Sequence, residues 1–288
     1  MLKQRLITAA ILIPLVVLGI LKLETSQLQW FVSLVAALAA WEWLSIIGIH
    51  DIAKRVTWII GLFLALIVSM YLPEILLMIL ALGLWLTATR LILKYGHLGL
   101  PQDLAALFRH SRFGIACTIV LLTLFWISVL TLHQTPLGPE QLLYVLVSVW
   151  LADTGGYFAG KRWGKTPLAK AVSPNKTWQG VWGAIALTSL WALIAYGVGI
   201  NGDLSLLIWL LLTLFTVMIS IIGDLFESLF KRSYNVKDSG NLLPGHGGIL
   251  DRIDSLIAAI PVFVAGLILL GAIYSAISHL IGFNRIDW

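Results

Sequence analysis

The chain has 288 residues, 59% of them hydrophobic and 11% charged, with a mean hydropathy of +0.95. Soluble domains carry about 45–50% apolar and about 25% charged residues, so a water-soluble globule is excluded and an integral membrane protein is implied. The formal net charge is +5, but no basic DNA-reading motif is visible and no nucleic-acid partner is expected.

A helix crosses a bilayer with about 20 apolar residues. Nine runs approach that length, near 6–23, 28–49, 57–72, 75–93, 113–132, 141–160, 179–200, 204–224 and 255–282. They predict an all-α, polytopic fold of about nine transmembrane helices. Residues 1–132 hold the first five spans. Residues 133–288 hold the last four, interrupted by polar loops near 161–178 and 225–254. A single integral membrane domain is the simplest description.

Lys3 and Arg5 precede the first run, and no small-x-small cleavage pattern follows Leu23, so it reads as a retained span rather than a secretory signal. Basic residues gather on the cytoplasmic side of membrane proteins. With the amino terminus in the cytoplasm, all of the 19 basic residues except Lys22 and Arg285 fall on that side. The positive charge is therefore mainly a topology signal. It puts both polar loops in the cytoplasm and the carboxy terminus opposite.

In chain order, the first notable acid is Glu42, between Trp41 and Trp43 near the cytoplasmic end of the second span. It reads first as an exposed acid among interfacial aromatics, with a functional role as the alternative. Residues 103–110 have helical spacing and suit a helix along the membrane surface; the loop 94–112 reads first as a basic cytoplasmic connector, with lipid-headgroup contact by Arg109 and Arg112 as the alternative. Cys117 is the single cysteine and reads as packing. Asp153 lies within the sixth span, before Thr154, Gly155 and Gly156. A carboxylate there needs a cavity, a metal or a basic partner.

The loop after the sixth span holds Lys161, Arg162, Lys165, Lys170 and Lys176 and no acid. Its end, Ser173-Pro174-Asn175-Lys176-Thr177, resembles a helix start, where free N–H groups, hydroxyls and an ammonium can hold an anion. Asp224 and Glu227, where the eighth span is expected to leave the membrane, are three residues apart. So are Asp251 and Asp254, leading into the last span. Three-residue spacing puts each pair on one helix face, so two helix ends can bring four carboxylates together. Carboxylate oxygens suit Mg²⁺, which keeps water and substrate phosphate in its shell. Taken singly, each pair is also a plausible cap or ion pair, such as Glu227 with Lys231. Between them lie Lys231, Arg232, Lys237, His246 and the glycines at 245, 247 and 248, a turn able to approach phosphate closely. His246 is open to three roles: proton donor, phosphate ligand or structural contact.

Ser228-Leu229-Phe230-Lys231-Arg232, then Lys237-Asp238-Ser239-Gly240, then Leu243-Pro244-Gly245-His246-Gly247-Gly248-Ile249-Leu250-Asp251-Arg252-Ile253-Asp254, resembles the phosphatidate cytidylyltransferase family, also called CDP-diglyceride synthases. Ser173 to Gly180 is similar to a second stretch of that family, and Asp153 with its glycines to a third. Gln179 stands where many relatives carry Glu. The resemblance is sharp over 150–265. It implies cytidylyl transfer from CTP to phosphatidic acid, yielding CDP-diacylglycerol and pyrophosphate, in a bacterial inner membrane.

On that reading Asp224, Lys237, Asp251, Asp254 and His246 are the catalytic candidates. Ser173, Lys176, Thr177, Lys231, Arg232, Arg252, Gly247 and Gly248 are the phosphate-binding candidates. Asp224, Asp251 and Asp254 are expected to hold Mg²⁺ or Mn²⁺, with Asp153 and Glu227 as further candidate ligands; the alternatives for Asp153 are to hold a second cation such as K⁺ or to orient a basic partner. Expected partners are CTP, phosphatidic acid, membrane lipids and a second copy of the chain in a homodimer. Two other functions fit the same residues: a CTP-dependent lipid kinase of the polyprenol type, and a coupled transporter of anionic solutes. The predicted acids all sit in the cytoplasmic half rather than along a midplane path, which favours a cavity over a conduit.

Overall fold

The computed structural model describes residues 2–281 apart from Asn241 and His246. The candidate role of His246 thus lies outside the described residues. The apolar runs become long helices: α1 (Leu2–Lys22), α2 (Thr25–Ile46), α3 (Ile52–Ser69), α4 (Glu74–Tyr95), α6 (Ser111–His133), α7 (Gly138–Trp163), α8 (Trp178–Gly197), α9 (Leu206–Ser233) and α10 (Leu250–Ile281). Among the described residues eight of these are long and apolar enough to cross a membrane, and the apolar part of α1, Ile7–Lys22, is shorter. A short helix, α5 (Gln102–Phe108), forms where the surface helix was expected.

Two elements depart from the sequence expectation. The Ser173 to Thr177 stretch is no helix start; it is strand β2 (Ser173–Thr177), antiparallel to β1 (Pro167–Ala169). Pro174 follows Ser173 directly, and the residue before a proline is driven towards extended backbone. The helix begins one residue later. Thr177, its N-cap, accepts the Gly180 N–H at Oγ1, 3.2 Å. The second departure is α9, which runs nine residues past the end of its apolar run to Ser233. Asp224 and Glu227 therefore sit inside a helix rather than at its end.

Two glycine seams set the architecture. α7 and α8 touch backbone to backbone: a Cβ on Gly155 would lie 2.5 Å from the Gly183 carbonyl oxygen, and one on Gly180 would lie 2.9 Å from that of Gly156. Small residues at such crossings let helices approach without a hydrophobic drive. Gly223 does the same between α9 and α10, where a Cβ would meet Asp254 O at 2.9 Å. Buried polar bonds fix the remaining neighbours. Tyr144 Oη meets Thr213 Oγ1 at 2.5 Å, Trp209 Nε1 donates to Ala192 O at 3.1 Å, and Trp126 Nε1 donates to Ser33 Oγ at 2.8 Å. α10 packs against α9, α4, α6, α7 and α2, so the two parts of the chain share one core.

Candidate active site

The charged residues converge where β2, α7, α9 and α10 meet. Lys176 at the end of β2 forms an ion pair with Asp224 of α9, and both side chains are 27% exposed. Asp153 of α7 is exposed and lies within electrostatic reach of Lys176, Asp224 and Arg252. Asp254 of α10 is within reach of Asp224, Glu227 and Lys176. Gly223 brings α9 and α10 close enough for Asp224 and Asp254 to share this space. Burial disfavours the Lys176 ammonium, but Asp224, together with Asp153 and Asp254, outweighs it and holds the pKa of the amine above its ordinary value.

A second ionic group lies deeper. Lys231 pairs with Glu227 one turn back at 2.5 Å and with Asp251 Oδ1 at 2.8 Å. Asp251 also accepts Ser239 N–H at 3.2 Å and Gly248 N–H at 2.9 Å on Oδ2. This carboxylate therefore organises the polar loop. Gly247, at φ +83°, occupies the left-handed region that favours glycine, and a Cβ there would lie 2.9 Å from Asp251 Oδ2. Leu243 N–H donates to Gly247 O at 2.9 Å and closes the turn.

The remaining candidates fall around these groups. Arg232 donates from Nε to Val172 O at 3.4 Å, tying α9 to the hairpin. Lys237 and Arg252 are exposed. Ser173 pairs with Ala169 in the hairpin ladder, and the Thr177 hydroxyl is engaged as the α8 cap.

Two residues carry more than their sequence setting suggests. Gln179 accepts Lys165 N–H at 3.1 Å and Thr166 N–H at 3.2 Å, holding the segment that leads into the hairpin to α8. Its position inside the family-like stretch was the available signal. Glu42 is not an exposed interfacial acid. It is 3% exposed and accepts Leu250 N–H at 2.8 Å across the bundle, a contact no local pattern encodes.

The donors fit a hard divalent cation in kind, since Asp153, Asp224 and Asp254 all supply carboxylate oxygens. Among the described residues, no three His, Cys, Asp or Glu side chains are gathered closely enough to form a ready metal cage. Two or fewer protein carboxylates are usual when substrate phosphates complete the shell.

The model of the cytidylyltransferase family matches residues 3–270, nearly the whole chain. The chain belongs to the cytidylyltransferase family. Among its relatives, the phosphatidate cytidylyltransferase of Pseudomonas aeruginosa is 42% identical over 268 residues, 92% of this chain and 96% of that protein. That of Haemophilus influenzae is 35% identical over 287 residues, 91% and 97% of the two chains. That of Bacillus subtilis is 45% identical over a shorter stretch of 124 residues, 43% and 46% of the chains. This family membership agrees with the resemblance carried by residues 228–254, and both ionic groups lie within the matched region.

Proposed function

We propose that the protein transfers a cytidylyl group from CTP to phosphatidic acid, releasing pyrophosphate and leaving CDP-diacylglycerol in the membrane. A phosphate oxygen of the lipid attacks the α-phosphorus of CTP. The bond from that phosphorus to the oxygen bridging the α- and β-phosphates breaks, and that oxygen leaves with pyrophosphate. The acceptor is already an anion, so no strong general base is required; positioning and charge neutralisation carry the reaction. The observation that supports this most is the meeting of Lys176, Asp153, Asp224 and Asp254 where β2, α7, α9 and α10 come together, in a chain of this family.

Lys176, Arg232, Lys237 and Arg252 neutralise the triphosphate and the lipid phosphate. The Lys176–Asp224 pair is partly exposed, so an incoming phosphate can compete for the ammonium. Asp224 and Asp254, with Asp153 beside them, would hold Mg²⁺, which when bound would draw charge from the triphosphate. Asp251 and Lys231 keep the loop in shape. The positive-inside bias supports a cytoplasmic amino terminus and active-site loops, with the carboxy terminus opposite, and the bacterial relatives support an inner-membrane location.

The decisive assay measures pyrophosphate release by purified protein given CTP, Mg²⁺ and phosphatidic acid, each omitted in turn. Release that needs all three supports the reading. Formation of CDP and a newly phosphorylated lipid would replace it with a lipid kinase, and solute flux without nucleotide turnover would replace it with a transporter.

A further inference from the structure

The polar loop is gripped twice, and one grip comes from far away in the chain. Besides Leu250 N–H, Glu42 Oε2 accepts Ser239 Oγ–H at 3.3 Å. Two glycines of the loop press against this carboxylate. A Cβ on Gly240 would lie 2.5 Å from Glu42 Oε1, and one on Gly248 would overlap Glu42 Oε2 and Ser239 Oγ. Leu250 is the first residue of α10, so its N–H is one that the helix itself leaves without a partner. A carboxylate is favoured at that end.

Asp251 holds the same loop from the other side, through Ser239 N–H and Gly248 N–H. Ser239 is thus bonded to Asp251 through its backbone and to Glu42 through its side chain. The start of α10, from which Asp251 and Asp254 project, is located by a residue of α2.

We propose that Glu42 is a positioning residue for the active site: it anchors the first turn of α10 and the flanking loop, and so fixes where Asp254 and the glycine turn lie. Its catalytic consequence rests on the cytidylyl-transfer reading, whereas its hold on the loop does not. Glu42 itself need touch no substrate.

The test compares Glu42→Leu, which keeps bulk but no acceptor, with Glu42→Gln, which keeps an acceptor oxygen. A small misplacement of catalytic groups costs about 100-fold, so Glu42→Leu should lose about that in kcat, with KM for CTP and for phosphatidic acid within about threefold of the parent. Glu42→Gln should recover to within about fivefold, since only the charge assistance of the bond is lost. Hydrogen exchange on the full-length protein gives a readout that needs no turnover. Amides of 239–250 should exchange about tenfold faster in Glu42→Leu while those of α7 and α8 are unchanged.

A third arm keeps the idea testable if Glu42→Leu fails to fold. Gly240→Ala should slow turnover and loosen the loop in the parent but add nothing in a Glu42→Ala background, where the clash is gone. Unchanged loop exchange in a folded Glu42→Leu, a Glu42→Gln variant as impaired as Glu42→Leu, or additive effects of Gly240→Ala and Glu42→Ala would each overturn the proposal. Should the parent release no pyrophosphate, the activity reading fails, and the exchange measurements decide for or against the clamp alone.

Discussion

Among the described residues two lysines meet carboxylates, in different settings. Lys176 arrives from a hairpin and pairs with Asp224, each side chain 27% exposed. Lys231 arrives on a helix and pairs with Glu227 and Asp251, where the exposures are 12%, 3% and 11%. A solvent-reached ion pair is worth about 0–1 kcal/mol, so the first is easily opened by a competing phosphate. Removing one partner of a buried pair costs about 3–5 kcal/mol, so the second is an architectural fixture. The same two functional groups serve exchange in one place and construction in the other.

The contrast breaks most visibly at Asp224. Asp224→Asn is expected to lower kcat by about 1,000-fold, in the range found when one electrostatic stabiliser is removed, while thermal stability changes by no more than about 1 kcal/mol. A rate within tenfold of the parent would remove Asp224 from the proposed metal site. Lys231→Met should show the opposite signature. It removes the cation that Glu227 and Asp251 share, and thermal melting in detergent should reveal a loss of about 3–5 kcal/mol.

Lys176→Met sharpens the comparison at the open pair. Melting should move little, whereas KM for CTP or phosphatidic acid should rise about 10- to 100-fold, as for loss of a charged hydrogen bond. Gln179 gives the smallest effect. Gln179→Ala frees Lys165 and Thr166 from α8 and should cost about 1 kcal/mol of local hairpin stability, read as faster amide exchange over 165–177. Gln179→Glu keeps the acceptor and should restore protection.

Much of this was legible in the sequence for a physical reason: a bilayer imposes its length on every crossing segment, so the apolar runs announce the helices. The carboxylates of α10 were equally readable, because Asp251 lies in its first turn and Asp254 follows three residues later on the same face. Hydropathy marks where apolarity ends, not where a helix ends, so it stopped at residue 224 while α9 continues to Ser233. The hairpin was hidden because strands of three and five residues give too short a pattern beside Pro174. Asp251 illustrates a different limit. Its residue type suits metal, yet its neighbours are Lys231 and two backbone N–H groups, which only the folded loop brings to it. Glu42 was the least visible, since its partners lie about 200 positions away and no local spacing points to them.

That separation bears on how the molecule is made. Glu42 and Leu250 are 208 residues apart, and chains are synthesised from the amino terminus, so α2 is in place long before the segment that satisfies its acid. Until then the growing bundle carries a carboxylate without its partner in apolar surroundings, a costly state. A polypeptide terminated ahead of its last helix would keep that defect permanently. Only a chain that has reached its last helix supplies Glu42 with the Leu250 N–H.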